Sequence, residues 1–506
     1  MCATESEIYN VNLPPHHMPF FFASHQAEAD ACKNSPTCPY KNFMDLNNCW
    51  GYEKNCSSAF RYSSPSCNQS SKGWSKTKKE QSDTFYKQGD FGYIRERLDE
   101  LTPLCSSDHE KGGVLECSKY MRFCRAKNIM FDFSTLKTLP EPMRYRDDVI
   151  REGQVSAYCK LKKKLFKQQG DHKSPLQSWY AEFEHFTELS IKLSNENCDV
   201  TISEPTFIMK LDATVNMYHH FCDFLNLYAS LHMNQTFSTD IRILIWDTVP
   251  YFSNFEIVWK AFTRHPLQNL GQFKGKKVCF ENAVFPLLPR MIFGMYYNMP
   301  LVPGCQGSGL FRAFTEHLKY RLKIKDNFQG SKIRVTLISR STQYRQILNE
   351  NELITSLKTF PDLVVRKVNF NRQMAFINQM EISYNTDILI GIHGAGLTHM
   401  LFMPPWSAVF EIFNCEDESC YADLARLKGL KYLTWEKSDK IYPEDEGHHP
   451  TLGAHAKFTN YSFDIPEFLR IFKKALLHVR KHFPVQKEQE KCIGSKCNHS
   501  VVHTEL

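Results

Sequence analysis

Nowhere does the sequence hold a run of about eighteen apolar residues, so no segment reads as a membrane-spanning helix. Its opening residues, Met1-Cys2-Ala3-Thr4-Glu5-Ser6-Glu7, lack an apolar stretch of signal-peptide length. The expectation is therefore a mature or truncated N-terminus, or a misassigned start codon. No two cysteines stand in C-x-x-C spacing, which removes the usual zinc-ribbon reading. The net charge of +7 is small for 506 residues and is not gathered into a long basic stripe, which argues against nucleic acid as the main partner. The basic run Lys160 to Lys167 reads as a solvated face. Nothing on a large scale has the composition of a disordered chain.

What is abundant is cysteine. Eighteen residues of this type are spread along the chain, a load suited to disulfides and an oxidising compartment. The dense series Cys32, Cys38, Cys49, Cys56, Cys67, Cys105, Cys117, Cys124 and Cys159 leaves its connectivity open, whereas Cys415 with Cys420 and Cys492 with Cys497 suit short-loop bridges. Five Asn-x-Ser/Thr sequons, at Asn55, Asn68, Asn234, Asn460 and Asn498, have meaning only in the secretory pathway. The final His503-Thr504-Glu505-Leu506 has the form read by the retrieval receptor of the endoplasmic reticulum. Together these signals predict a luminal, disulfide-bonded glycoprotein of that organelle.

The length calls for two or three domains. Residues 1–190 read as a cysteine-rich, loop-rich cap, with short helices expected over Asp90–Leu101 and Tyr120–Asn128 and an exposed linker over Ser70–Ser82. From about residue 198 apolar strands alternate with amphipathic helices, which predicts layered α/β structure with largely parallel sheets. Residues 191–330 form one such domain, residues 331–480 a second, doubly wound one, and 481–506 a tail carrying the retrieval signal. Asp326–Ser331 reads as a hinge between the two α/β halves.

Ligands of open parallel sheets bind beyond the carboxyl ends of the strands. His393-Gly394-Ala395-Gly396-Leu397-Thr398-His399 follows the most apolar strand of the last domain, where small residues admit a phosphate and the next helix offers unpaired N–H groups. Arg340 and Arg345, after the first strand of that domain, have the fork geometry for a pyrophosphate, and Glu411 is placed to accept from sugar or ribose hydroxyls. In the middle domain Asn216, His220 and Asp223 fall on one helix face. Either His220 or Asp223 is a candidate general base, with Asp212 and Asp247 as rivals and a buried structural network as the alternative reading.

The segments Lys210-Leu211-Asp212, Asn216 to Asp223, Ser339-Arg340-Ser341-Thr342 and His393 to His399 resemble glycosyltransferase family 61. Cys49 to Lys54, Phe91 to Arg97 and Gly447 to Gly453 sharpen that resemblance toward members acting on EGF-like repeats. The resemblance implies a GT-B-like pair of Rossmann-type domains, UDP-N-acetylglucosamine as donor, and transfer to Ser or Thr of folded EGF-like repeats, including those of Notch-type receptors. Vertebrate members carry an Asp-Tyr-Asp tripeptide after a Trp-x-Ala-Phe-Thr stretch. Here Trp259 to Thr263 is followed by Arg264-His265-Pro266, so no acidic metal clamp stands there and a divalent cation, Mn or Mg, is assigned to no residue. The alternatives are a family member with another acceptor, an O-mannosyl protein or an N-glycan, and a luminal protein that binds UDP or glycan without turnover.

Overall fold

The computed structural model describes residues 11–494 apart from 42–43, 45–46, 69–74, 144–145, 173, 195, 291–293, 296–300, 327–330, 413–419, 450–452 and 455–457. The chain forms two compact units, 1–324 and 325–506.

The first unit is organised by an 11-stranded mixed sheet. Its principal strands are β1 (Thr102–Ser106), β2 (Val114–Cys117), β3 (Cys124–Asp132), β4 (Lys160–Leu161), β5 (Thr206–Met209), β6 (Arg242–Ile245), β7 (Gln268–Asn269) and β8 (Lys277–Phe285), in the order β7-β6-β5-β8-β3-β2-β1-β4. From β7 to β8 the pairing is parallel, and from β8 onward it is antiparallel. This corrects two expectations. The strands of the presumed cap continue the sheet of the following segment, and the first unit is not a plain doubly wound parallel sheet. The reason is local: β2 and β3 are adjacent in sequence and close a hairpin, which can only be antiparallel. Tyr120–Asn128, expected to be helical, is a short 3-10 turn (Lys119–Met121) leading into β3. Lys78–Gly89 is a helix, so the expected linker ends before it.

Among the described residues, six disulfides brace this unit: Cys32–Cys38, Cys49–Cys56, Cys67–Cys305, Cys105–Cys159, Cys117–Cys124 and Cys198–Cys279. Such a set marks a protein of the secretory pathway. Cys67–Cys305 spans 238 residues and joins the N-terminal segment to a strand pair formed with Cys305–Gln306. Cys415, Cys497, Asn498 and His503 to Leu506 lie outside the described residues, as do the side chains of Cys420 and Cys492. No helix among the described residues is long and apolar enough to cross a membrane.

Helix α1 (Met217–Asn234) is capped by Asn216, whose side-chain oxygen accepts from the Tyr218 N–H, and ends at Gln235 in the left-handed region. Of its 18 residues only His219 and Asn234 are not buried. A second helix, α2 (Gly309–Arg321), starts at a Ser308 cap.

The second unit is a five-stranded, wholly parallel sheet built from β9 (Ile333–Ile338), β10 (Leu363–Val368), β11 (Ile388–Ile392), β12 (Ala408–Ile412) and β13 (Lys431–Thr434), ordered β10-β9-β11-β12-β13. Every residue of β11 and β12 is buried, as a strand covered on both faces requires. Helices α3 (Glu350–Leu357), α4 (Phe376–Tyr384), α5 (Cys420–Lys428) and α6 (Ile465–Gly494) complete it. On α6 the residues Phe468, Ile471, Phe472, Ala475, Leu476 and Val479 follow helical spacing and are buried in the core with the strands. Part of the expected tail, 481–494, continues this helix.

Candidate functional site

In the second unit the order of strands reverses between β9 and β11, and ligands of such sheets bind at that point, beyond the carboxyl ends. The segments that follow these two strands meet there. Arg340 donates from Nη1 to the carbonyl oxygen of His393 at 3.2 Å, and Arg345 donates to the same oxygen at 3.0 Å. Two cations on one carbonyl repel each other, and among the described residues no carboxylate forms an ion pair with Arg340. Burial, with Arg345 alongside, lowers the Arg340 guanidinium to about 10. Guanidinium forks match phosphate oxygens, so two of them side by side make a candidate anion site.

Gly394 turns the chain with φ +152°, and a Cβ on it would stand 2.9 Å from Arg340 Nη1 and 3.2 Å from Arg345 Nη1. It is this φ, strained for a residue with a Cβ, that calls for glycine, since the two Nη1 atoms are the flexible ends of their side chains. Gly396 is different, because a Cβ there meets Ile338 only at 3.6 Å, an ordinary contact. His393 donates from Nδ1 to Glu411 Oε1 at 2.6 Å, while the Tyr432 hydroxyl donates to Glu411 Oε2 at 2.6 Å. Glu411 thus orients His393 and is itself held by Tyr432.

His399 faces inward. Its Nε2 meets Gln379 Oε1 at 3.0 Å, its Nδ1 meets the Gly396 carbonyl at 2.8 Å, and Phe370 stacks on the ring at 4.0 Å. Burial depresses it to about 4. It braces the 3-10 turn Ala395–Phe402 against α4.

Arg345 has φ +57°, a left-handed conformation that costs energy for a residue with a Cβ. The next residue is held by Asn460, whose side-chain oxygen accepts the Gln346 N–H at 2.8 Å. The Asn460 amide nitrogen donates to Asp445 Oδ2 at 2.6 Å and to the Gln343 carbonyl at 3.1 Å. Both amide hydrogens are used. In the fold the Asn460 side chain brackets the Arg345 turn. Asn55 and Asn68 are exposed, and Asn234 bonds to Thr236 of its own sequon at 2.8 Å.

In the first unit the polar stripe on α1 divides in two. His220 is fully buried, its Nδ1 2.9 Å from Asp223 Oδ2 and its Nε2 2.7 Å from the Tyr251 hydroxyl. Phe224, Phe255 and Trp259 enclose the ring, and burial lowers it to about 3. Asp223 also accepts the Asp212 backbone N–H. This is a satisfied core network. Next to it, His219 is 23% exposed, with Nδ1 3.0 Å from Asp212 Oδ2. Arg290 Nε contacts that same carboxylate oxygen at 2.8 Å. Neither His219 nor Arg290 was singled out from the sequence. The available signal was the His219-His220 pair, since neighbours on a helix are about 100° apart and only one can face the core.

Asn216 caps α1. Asp247 accepts the N–H groups of Val249 and Met143, so it shapes turns. After Thr263, Arg264 and His265 both pair with Asp240, at 2.7 and 2.6 Å, where an acidic tripeptide was looked for.

A family profile described as Glycosyltransferase 61 matches residues 217–410, from α1 to within β12. The EGF domain-specific O-linked N-acetylglucosamine transferase of Rattus norvegicus is 47% identical over 489 residues, covering 95% of this chain and 92% of the relative. The chain belongs to glycosyltransferase family 61. It is a glycosyltransferase, and so takes an activated sugar, a nucleotide sugar, as donor. Relatives of the same description in Gallus gallus and Drosophila melanogaster are 48% and 51% identical, over 93% and 86% of this chain and 90% and 84% of theirs. A solved iron-containing heptosyltransferase shares 11% identity over 65% of this chain and 84% of its own, at a TM-score of 0.21, too little to bear on the architecture of this family member.

Proposed function

We propose that this chain transfers N-acetylglucosamine from UDP-N-acetylglucosamine, with inversion, to Ser or Thr hydroxyls of folded EGF-like repeats. The observation that carries the donor half is the convergence of Arg340 and Arg345 on the His393 carbonyl beside Gly394, a cationic, close-approach site at the strand-order reversal. The acceptor half is supported by the names of the relatives, which cover nearly the whole chain. In this reading the fold is of the GT-B type and the second unit holds UDP.

The acceptor oxygen attacks the anomeric carbon, the bond from that carbon to the β-phosphate oxygen breaks, and its electron pair leaves on UDP. The acceptor proton passes to His219 Nε2. Asp212 Oδ2, 3.0 Å from His219 Nδ1, favours the tautomer that carries its proton on Nδ1 and its basic lone pair on Nε2, with Arg290 Nη2 3.3 Å from the same nitrogen. Asp212 is in turn held by Arg290. His220 and Asp223 support this helix face from within. The acceptors are EGF-repeat proteins of the secretory pathway, Notch-type receptors among them. The site of action is the lumen of the endoplasmic reticulum, to which His503 to Leu506 would return the enzyme through the retrieval receptor.

The test is transfer of labelled N-acetylglucosamine to a folded EGF repeat by secreted recombinant protein, with and without chelator. Transfer that disappears on reducing and alkylating the repeat is expected. Full activity in folded Arg340→Ala and His393→Ala proteins would sink the donor-site assignment, and equal labelling of an unfolded repeat would sink the acceptor class.

A further inference from the structure

The N-terminal segment holds a cluster that the transfer chemistry leaves unused. His16 and His17, successive residues of a 3-10 turn (Pro15–His17), both direct Nε2 at one oxygen of Glu316 on α2, each at 2.8 Å. The Tyr62 hydroxyl donates to the same Glu316 Oε2 at 2.5 Å and lies 3.1 Å from His17 Nε2. The three candidate ligand atoms, two imidazole nitrogens and a carboxylate oxygen, all lie within 4.8 Å of one another. His17 is fully buried, while the His16 side chain is 48% exposed, so the cluster opens to solvent on one side.

We propose that His16, His17 and Glu316 bind one divalent transition-metal ion of the zinc type, tying the N-terminal segment to α2. Two imidazoles with one carboxylate form a ligand set that suits zinc, with a fourth position open to water. Tyr62 supplies the outer hydrogen bond that fixes the carboxylate. A competing cation, Arg312, sits one turn earlier on α2, but its Nη2 is bonded to the Tyr62 carbonyl at 2.7 Å and its guanidinium lies over the Tyr62 ring. His17 Nδ1 is buried without a hydrogen-bond partner, so the contacts of Nε2 are what orient the ring. Apart from this cluster, the described residues bring three such groups together only at Cys49, Glu53 and Cys56, where the two cysteines form a disulfide.

The test uses the full chain, stripped with chelator and titrated with Zn²⁺ against a chromophoric competitor, and with Co²⁺ to read the visible spectrum of the bound ion. One equivalent of tightly bound metal is expected, with a raised melting temperature. His16→Ala removes an exposed ligand and Glu316→Gln is isosteric, so both should fold. Each should weaken the site by more than about 100-fold, since loss of a mere outer-sphere partner already costs about 10- to 100-fold. His478 and His482 on α6, with ring centroids 4.5 Å apart, are the rival two-ligand site, and His482→Ala should leave the stoichiometry unchanged. Absence of tight binding overturns the proposal. So does a bound ion that survives both ligand substitutions or is lost in His482→Ala.

Discussion

The Nη1 atom of Arg345 lies 3.0 Å from the carbonyl oxygen of His393, the oxygen that Arg340 also reaches. Through this one acceptor, the segment after β9 is locked onto the turn after β11. Replacing Arg345 by Lys keeps the charge and loses the planar fork. The expected result is a fall of about 10- to 100-fold in kcat/KM for the nucleotide-sugar donor. Steady-state kinetics at fixed acceptor concentration check this, and an unchanged value would remove Arg345 from the donor site.

Asn460 supports that arginine through the backbone of Gln346. Asn460→Asp keeps the acceptor oxygen and removes both donated hydrogen bonds, so the donor KM should rise while the acceptor KM holds. Stability should fall by about 1–2 kcal/mol. Glycopeptide mass spectrometry of active, secreted protein should find sugar on Asn55 and Asn68 and none on Asn460. Stoichiometric glycan at Asn460 in active enzyme contradicts its role as a bracket.

The adjacent histidines of α1 should separate function from stability. His219→Ala is expected to lower kcat by about 10²- to 10⁴-fold with little change in unfolding free energy. His220→Ala opens a cavity and leaves Asp223 and Tyr251 short of a partner, so about 2–4 kcal/mol of stability should be lost. Urea unfolding and single-turnover transfer, measured on both variants, give the answer. Wild-type kcat in His219→Ala would return the base assignment to another group.

Stability should depend steeply on pH on the acid side. Burial depresses His17 and His399 to about 4 and His220 to about 3, and lowers His232 and His317 in the same direction. An unfolded histidine takes up its proton near pH 6.5, so between that pH and the folded values the unfolded state holds more protons. The stabilising term is complete above pH 6.5 and is lost as pH falls toward 4. Each histidine contributes a slope of up to about 1.4 kcal/mol per pH unit in that window. Denaturant unfolding at pH 7.5, 6.5 and 5.5 should show the loss, and equal stability at all three values would contradict it.

Much of the second unit was legible in the sequence. Ile388–Ile392 and Ala408–Ile412 are continuous apolar runs because both faces of a parallel strand are covered, and the helices between them keep apolar spacing. The loop that carries His393 and Gly394 was legible for the same reason, since strand ends in such sheets are where ligands bind. Less legible were the partners of each polar group. Glu411 and His399 were correctly placed near the turn, but their hydrogen bonds run to His393 and to Gln379.

The sequence by itself therefore determined the class of structure, the oxidising compartment and the strand-end segments that meet after β9 and β11, because periodicity, cysteine load and local turn chemistry are properties of neighbouring residues. Only the tertiary structure decided that the N-terminal strands join the sheet of the segment that follows, that Cys67 pairs with Cys305, that Asn460 braces Arg345, and that His219 and not His220 meets solvent. Each of these depends on which distant surface packs against a residue. Burial, and with it the availability of a proton or a lone pair, is set by those long-range contacts and leaves no mark on the local sequence.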